Sequence, residues 1–447
     1  MTWHTLPRTA RPGARLLVTV AGVLLLLALS ARIVDARGTA HPALGVPLAG
    51  VNIGSLRYGS SPAEADRTIG LARALHAKVV RLEVRWAVLE PRASGAIDPH
   101  ALAFLDRLAN DAAAAGIRVI ATVGSTPCWA SSAPASLLHK CAPTRPSQAN
   151  SWPPSNPADY AAFAAYLAQR YGTKLAALEI WNEPDQVNQL YFAGPNKARK
   201  YAAILRAAYP AIKQANPQLP VLAGSIVGSN GKFLRALYAA GIKGYYDGLA
   251  VHFYTLTLAA LRSTHTVQLA SGDTTPMWLD EFGWSSCWPR YRIQEEQACV
   301  TRQTQARNLQ DIFRSLARTP YVAADVAYEL QGSVHEDFGA LSETGARKPA
   351  FSALARVFAS PTGPVSHVTL RLHRRGRHLV ASGSAPVGDF MALEAFHGTV
   401  PRYRAIFRLD RFNRYSITLP AVLGTHGLHV RVYQYWAGLA AGAQRSV

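Results

Sequence analysis

Two short segments, each closing an apolar run, hold the residues best suited to chemistry: Ala177-Leu-Glu-Ile-Trp-Asn-Glu183-Pro-Asp185 and Met277-Trp-Leu-Asp-Glu281-Phe-Gly-Trp284. Their glutamates, Glu183 and Glu281, stand 98 positions apart. Two carboxylates facing one sugar ring suffice to hydrolyse a glycosidic bond, one as acid/base and the other as nucleophile or base. A single Glu after a strand serves equally well as an ion-pair or capping group, so the conjunction of the two motifs carries the reading. Asp185 and Asp280 are the rival carboxylates. Asp185 reads as a cap, and strict strand alternation would turn Asp280 away from Glu281. Glu179 alternates with Trp181 and Glu183 and reads as an ion partner facing the interior. An acid must be protonated when cleavage begins, so Glu183 is expected to have a raised pKa through desolvation by Trp181 and Ile180.

Both motifs need strands that deliver them to one place. From 46 to 360 the chain alternates short apolar runs with amphipathic helical stretches, the mark of repeated strand-helix units. Strands are predicted at 48–53, 78–84, 117–124, 175–181, 219–225, 247–254, 276–282 and 323–331. Eight units over this length predict an α/β fold, a (β/α)8 TIM barrel with both glutamates at strand C-termini. A doubly wound sheet is the competing fold, but no Gly-rich phosphate turn follows the first strand. Ser61-Pro62 with Glu64, Asp98-Pro99 and Asn156-Pro157 each place a capping side chain before a proline at a helix start. After Ala359, Ser360-Pro-Thr-Gly-Pro364 reads as a linker. Six period-two strands then predict a small C-terminal all-β, sandwich-like accessory domain over 365–447, serving either to bind glycan or to pack on the barrel.

Strand four ending in Trp181-Asn182-Glu183-Pro184 and strand seven in Asp280-Glu281-Phe-Gly-Trp284 carry a family resemblance. So do strand six as Asp247-Gly-Leu-Ala-Val-His252-Phe-Tyr254 and strand two around Arg81 and Trp86. Residues 46–360 resemble clan A (β/α)8 retaining glycoside hydrolases, nearest to family 39 and related cellulase-like members. The resemblance implies Glu183 as acid/base, Glu281 as nucleophile, and Asn182 on the sugar C2 hydroxyl. It further implies that Tyr254 donates to Glu281, with His252 beside it and Arg81 keeping it ionised. The chain departs from the pattern at strand eight, where Ala-Tyr328-Glu-Leu-Gln331 stands in place of a Trp, leaving Tyr328 or Gln331 to fill that role. Trp129, Trp284 and Trp288 are candidate stacking platforms for sugars, with packing beneath its own loop the other reading of Trp129.

Composition adds the compartment. Arg8, Arg11 and Arg15 precede an apolar run from Leu16 to Leu29, so 1–36 reads as a signal peptide, with a signal anchor as the alternative and 16–31 as its membrane tether. Four cysteines in two local pairs predict the disulfides Cys128–Cys141 and Cys287–Cys299 in an exported protein, secreted or held at the cell envelope. Their spacing fits no metal site. A formal charge of +20, spread along the chain, suits anionic envelope polymers or lipid headgroups, or reflects a compositional bias toward Arg, and the basic run His373-Arg-Arg-Gly-Arg-His378 lacks the aromatic interleaving of a nucleic-acid face. The expected function is a retaining, cofactor-independent glycoside hydrolase without a metal. It would act on a β-linked polysaccharide or oligosaccharide, anionic or neutral, with endo action favoured. A transglycosylase using the same site, and a non-catalytic carbohydrate-binding surface protein, are the alternatives.

Overall fold

The computed structural model describes residues 45–186, 189–227, 231–254, 258–287, 299–333, 337–386, 391–434 and 442–446. The expected leader and Trp288 lie outside them. Eight strands form a closed, all-parallel barrel: β1 (Leu48–Ser55), β2 (Val79–Arg85), β3 (Arg118–Gly124), β4 (Leu175–Ile180), β5 (Val221–Ile226), β6 (Gly248–Phe253), β7 (Met277–Phe282) and β8 (Val322–Ala327), which pairs back to β1. Val79, Ile120, Leu222, Trp278 and Val326 fill the interior, so the barrel is a packed core. A larger apolar layer seals the strands against the surrounding helices.

The capping signals act as the sequence suggests. Ser61 and Glu64 form a reciprocal capping box at the helix Pro62–Ala74. The Asp98 carboxylate accepts from the amides of His100 and Ala101, and the Asn156 side chain from Ala158. Each cap is worth about 1 kcal/mol and fixes where a helix begins after its loop.

The structure corrects two strand details. Strand eight ends at Ala327, short of Gln331, because the chain turns across the barrel mouth, where the Leu330 amide donates to the carbonyl of Asn52 at 2.8 Å. In β7 the register slips. Ala250 faces Trp278 and His252 faces Glu281, so two steps on β6 meet three on β7. That bulge overturns the expectation that Asp280 points away from Glu281, since an extra residue lets consecutive side chains reach the interior.

Beyond the barrel, seven strands among the described residues make two antiparallel sheets: β9 (Arg371–Arg375), β10 (His378–Ser384), β11 (Met391–His397), β12 (Val400–Phe407), β13 (Arg414–Thr418), β14 (Leu428–Gln434) and β15 (Gly442–Ser446). Their orders are β13-β10-β9 and β12-β11-β14-β15. Leu379, Ala381 and Tyr415 of one sheet pack on Met391, Leu393 and Val430 of the other, which makes a sandwich. The basic run 373–378 forms the β9–β10 hairpin and turns at Gly376, whose φ of +61° suits glycine. β15 is additional to the six expected strands, because Gly-Ala-Gln-Arg-Ser has no apolar alternation.

The helix Arg302–Leu316 joins the parts. Its Asn308 accepts from Asn413 at 2.6 Å, and its Asp311 accepts from the Ser366 amide at 3.0 Å. Arg318 donates to the carbonyls of Gly363 and Thr362 at 2.8 and 3.2 Å, and Arg314 to that of Pro364, so the linker is clamped. Both expected disulfides are formed. Among the described residues no helix is long and apolar enough to cross a membrane.

Candidate active site

At the C-terminal mouth of the barrel, β4 ends at Ile180 and the next residues depart from extended geometry. Trp181 and Glu183 adopt positive φ, +72° and +46°. Such conformations cost on the order of 1 kcal/mol each and persist only where neighbours enforce them. Here the Trp181 amide donates to Val123 O and the Glu183 amide to Ser225 O, while the Trp181 ring wedges against Tyr160 and Phe192. Trp181 thus braces the turn that projects Glu183 inward.

Arg81 of β2 is the hub. Its guanidinium holds Glu179 at 2.9 Å, Glu281 at 2.9 Å and Asn182 Oδ1 at 2.8 Å, and Asp280 lies 3.1 Å from Nε. Because Arg can only donate, the Asn182 amide must present its oxygen to Arg81, which leaves its NH2 directed elsewhere. Glu179 also accepts from Thr122 and, at 2.6 Å, from Ser225. Burial alone would raise its pKa, but Arg81 overrides this and draws it down to about 2. Asp280 fares oppositely, since burial and the neighbouring Glu179 charge lift it well above the ordinary carboxylate value.

Glu281 accepts from Arg81, from the Tyr254 hydroxyl, and from Asn52 Nδ2 at 3.4 Å. Burial and the Glu281 charge keep the Tyr254 phenol well above its usual pKa, so it stays a donor. Asn52 was not singled out in the sequence. The only signal was a polar residue interrupting the apolar run of β1, with its Oδ1 here committed to the Gly54 amide.

His252 lies between the two glutamates. Its Nδ1 is 2.8 Å from Glu183 Oε1, and its Nε2 is 3.6 Å from Asp280 and 3.7 Å from Glu281. Burial would depress its pKa, yet the Glu281 charge, the Glu183 hydrogen bond and Asp280 push it up to about 9. The same contact corrects the expectation for Glu183. Burial does raise its pKa, but the hydrogen bond and charge of His252, with Gln186 donating at 3.0 Å, leave it below the ordinary value. One oxygen of Glu183, one of Glu281 and a His252 nitrogen all lie within 4.8 Å of one another.

The tryptophan candidates do not join this cluster. Trp284 is 2% exposed within the barrel's apolar layer, so it offers no ring face to a sugar, contrary to expectation. Trp129 is half-buried, edge-on to Trp86, with its N–H on the Glu90 carbonyl at 2.9 Å, and so packs beneath its own loop. At the end of β8, Gln331 is exposed and donates to Glu343 O, whereas half-buried Tyr328 sets its ring edge-to-face with Tyr254. A cavity of about 250 Å³ beside Asn182 is lined by Glu83, Arg85, Ser125, Asn150 and Tyr191. A larger cleft lies elsewhere, in the sandwich.

Comparison places this arrangement among known proteins. The family model described as cellulase (glycosyl hydrolase family 5) matches residues 34–318. No curated protein matches the chain. Among solved structures, a GH39 β-xylosidase from Caulobacter crescentus shares 15% identity over 85% of this chain and 95% of its own, with a TM-score of 0.52. The GH39 enzyme from Xanthomonas axonopodis pv. citri shares 15% over 86% and 97%, with a TM-score of 0.51. A GH5 subfamily 18 variant from Streptomyces cattleya, in complex with Manb1-4GlcNAc, shares 17% over 72% and 83%, with a TM-score of 0.51. These likenesses are of fold. Since the family model spans more than half of the chain and runs through both glutamate motifs, the protein is a glycoside hydrolase belonging to the cellulase family, glycosyl hydrolase family 5.

Proposed function

We propose that the protein is an exported, retaining hydrolase of β-linked polysaccharide, with Glu281 as nucleophile and Glu183 as acid/base. The observation that carries this reading is the approach of Glu183 and Glu281 oxygens to within 4.8 Å. Retention needs carboxyl groups about 5 to 5.5 Å apart, whereas inversion needs about 6.5 to 9.5 Å to admit a water between them. Arg81, Tyr254 and Asn52 converge on Glu281 and orient its carboxyl group for attack at the anomeric carbon. In the free site the proton for the leaving oxygen resides on His252, whose Nδ1–H meets Glu183 Oε1. Substrate displaces water from Glu183 and disfavours its charge, so the proton moves across that hydrogen bond and on to the leaving group. Once the glycosyl ester forms, Glu183 regains a basic role toward water. Asn182, its carbonyl fixed by Arg81, turns its NH2 to the sugar hydroxyl beside the reacting carbon, and Tyr328 provides the floor.

Export rests on the N-terminal apolar run and is supported by the two disulfides. Endo action is part of the same proposal. The test is a panel of β-linked polysaccharides read by mass spectrometry for products and by proton NMR for the first-formed anomer. Glu281→Gln and Glu183→Gln should each lower turnover by about 10³-fold. A product whose anomeric configuration is inverted at first appearance would overturn the assignment of Glu281.

A further inference from the structure

A cleft of about 1100 Å³ opens in the C-terminal sandwich, lined by none of the barrel carboxylates. One wall comes from the segment 368–371 and from β10 and β13. The other comes from the end of β12 and from β15. Four arginines line it, Arg371, Arg408, Arg414 and Arg445, all exposed, against one carboxylate, Asp410. That carboxylate is already committed, because its Oδ1 accepts from the amides of Phe412 and Arg414 at 2.8 Å each. Also lining it are the half-buried ring of Phe407, which rests 5.3 Å from the buried ring of Tyr415, and the residues Ser382, Ser384 and Ser416.

Composition repeats this bias at the scale of the whole segment. Residues 365–447 hold eleven arginines, no lysine and three acids, and one of these acids, Glu394, is engaged by Arg431 at 2.6 Å. Arg and Lys supply equal charge, but only Arg presents a planar fork that matches a carboxylate with two parallel hydrogen bonds. A cleft lined by guanidinium forks, an accessible aromatic ring and small hydroxyl-bearing residues has the chemistry to hold sugars bearing carboxylates. A flat membrane surface would not enter it, and a generic polyanion would use neither the Phe407 ring nor the hydroxyls.

We infer that this cleft binds an anionic polysaccharide, a polyuronate chain, and thereby holds the substrate polymer to the enzyme. The inference rests on the proposed polysaccharide hydrolase activity for its purpose, though the binding event itself does not require cleavage. A polymer captured by the sandwich raises its effective concentration at the barrel without any new contact in the active site.

The test uses the full chain carrying Glu281→Gln, so that binding is read without turnover. Calorimetric titration with polymannuronate, with β-mannan as the neutral polymer of the same backbone and with single-stranded DNA as a generic polyanion, should show a preference for polymannuronate. Adding Arg371→Gln, Arg414→Gln and Arg445→Gln should weaken polymannuronate binding about tenfold or more. In the chain with Glu281 intact, the same three substitutions should leave hydrolysis of a small aryl glycoside unchanged, which shows that they do not unfold the barrel. Equal affinity for polymannuronate before and after the arginine substitutions, or for DNA and polymannuronate alike, overturns the inference. Polymannuronate binding that depends on these arginines, in a chain that cleaves no polymer, would sustain it while removing the hydrolase reading.

Discussion

The proton at the proposed catalytic centre belongs to a pair rather than to a residue. His252 and Glu183 are 2.8 Å apart, with one pKa raised to about 9 and the other lowered, so titration reports on both together. A histidine with a raised pKa keeps its proton below that value and loses it as pH rises through it. The alkaline limb of kcat/KM should therefore fall near pH 9. Replacing His252 with Gln leaves Glu183 to hold the proton alone, so the limb should move toward acid by more than a unit. A limb that stays in place would show that the proton comes from elsewhere. Much of this constellation was legible in the sequence as types and spacing: Arg81, Asn182, Glu183, His252, Tyr254 and Glu281 all meet at the barrel mouth. Burial in the apolar motif suggested a raised pKa for Glu183, but the direction depended on a distance between β4 and β6 that no local pattern encodes.

At the scale of elements, the site depends on two departures from ideal strands. The bulge in β7 brings both Asp280 and Glu281 to Arg81, and the left-handed residues after β4 turn Glu183 inward. The latter requires β5 to come unusually close. A Cβ on Gly224 would meet the Ile180 carbonyl oxygen at 2.0 Å and that of Trp181 at 2.6 Å. Gly224→Ala should thus lower the melting temperature and abolish most turnover, whereas Gly70→Ala, where a Cβ meets nothing within 4 Å, should do neither. Unchanged activity in Gly224→Ala would mean that the β4–β5 approach does not set Glu183. Strand positions and caps were readable because period and capping are local rules. The bulge was not, since alternation is the only rule available to a sequence and a bulge is the exception to it. Trp284 failed for a related reason. An aromatic after a strand is as suited to the apolar layer as to a cleft, and neighbours decide between them.

Across the whole molecule, the joint between barrel and sandwich is built from directed hydrogen bonds. Arg314 and Arg318 grip three consecutive carbonyls, those of Thr362, Gly363 and Pro364, and Asn308 and Asp311 fix Asn413 and Ser366. The linker was visible as a Pro-Gly segment, which by composition alone reads as a loose tether. Removing the clamp with Arg314→Ala and Arg318→Ala should leave barrel chemistry on small glycosides intact and increase proteolysis within 360–364, as limited digestion would show. A digestion pattern identical to the parent would mean that the arginines do not restrain the segment. A stiff joint also sets a length. If one polymer is seated in both the sandwich cleft and the barrel, as proposed, it must bridge one invariant interval, so the enzyme would be a caliper whose cuts recur at a set number of sugars, and a slack joint would blur that spacing into a ladder.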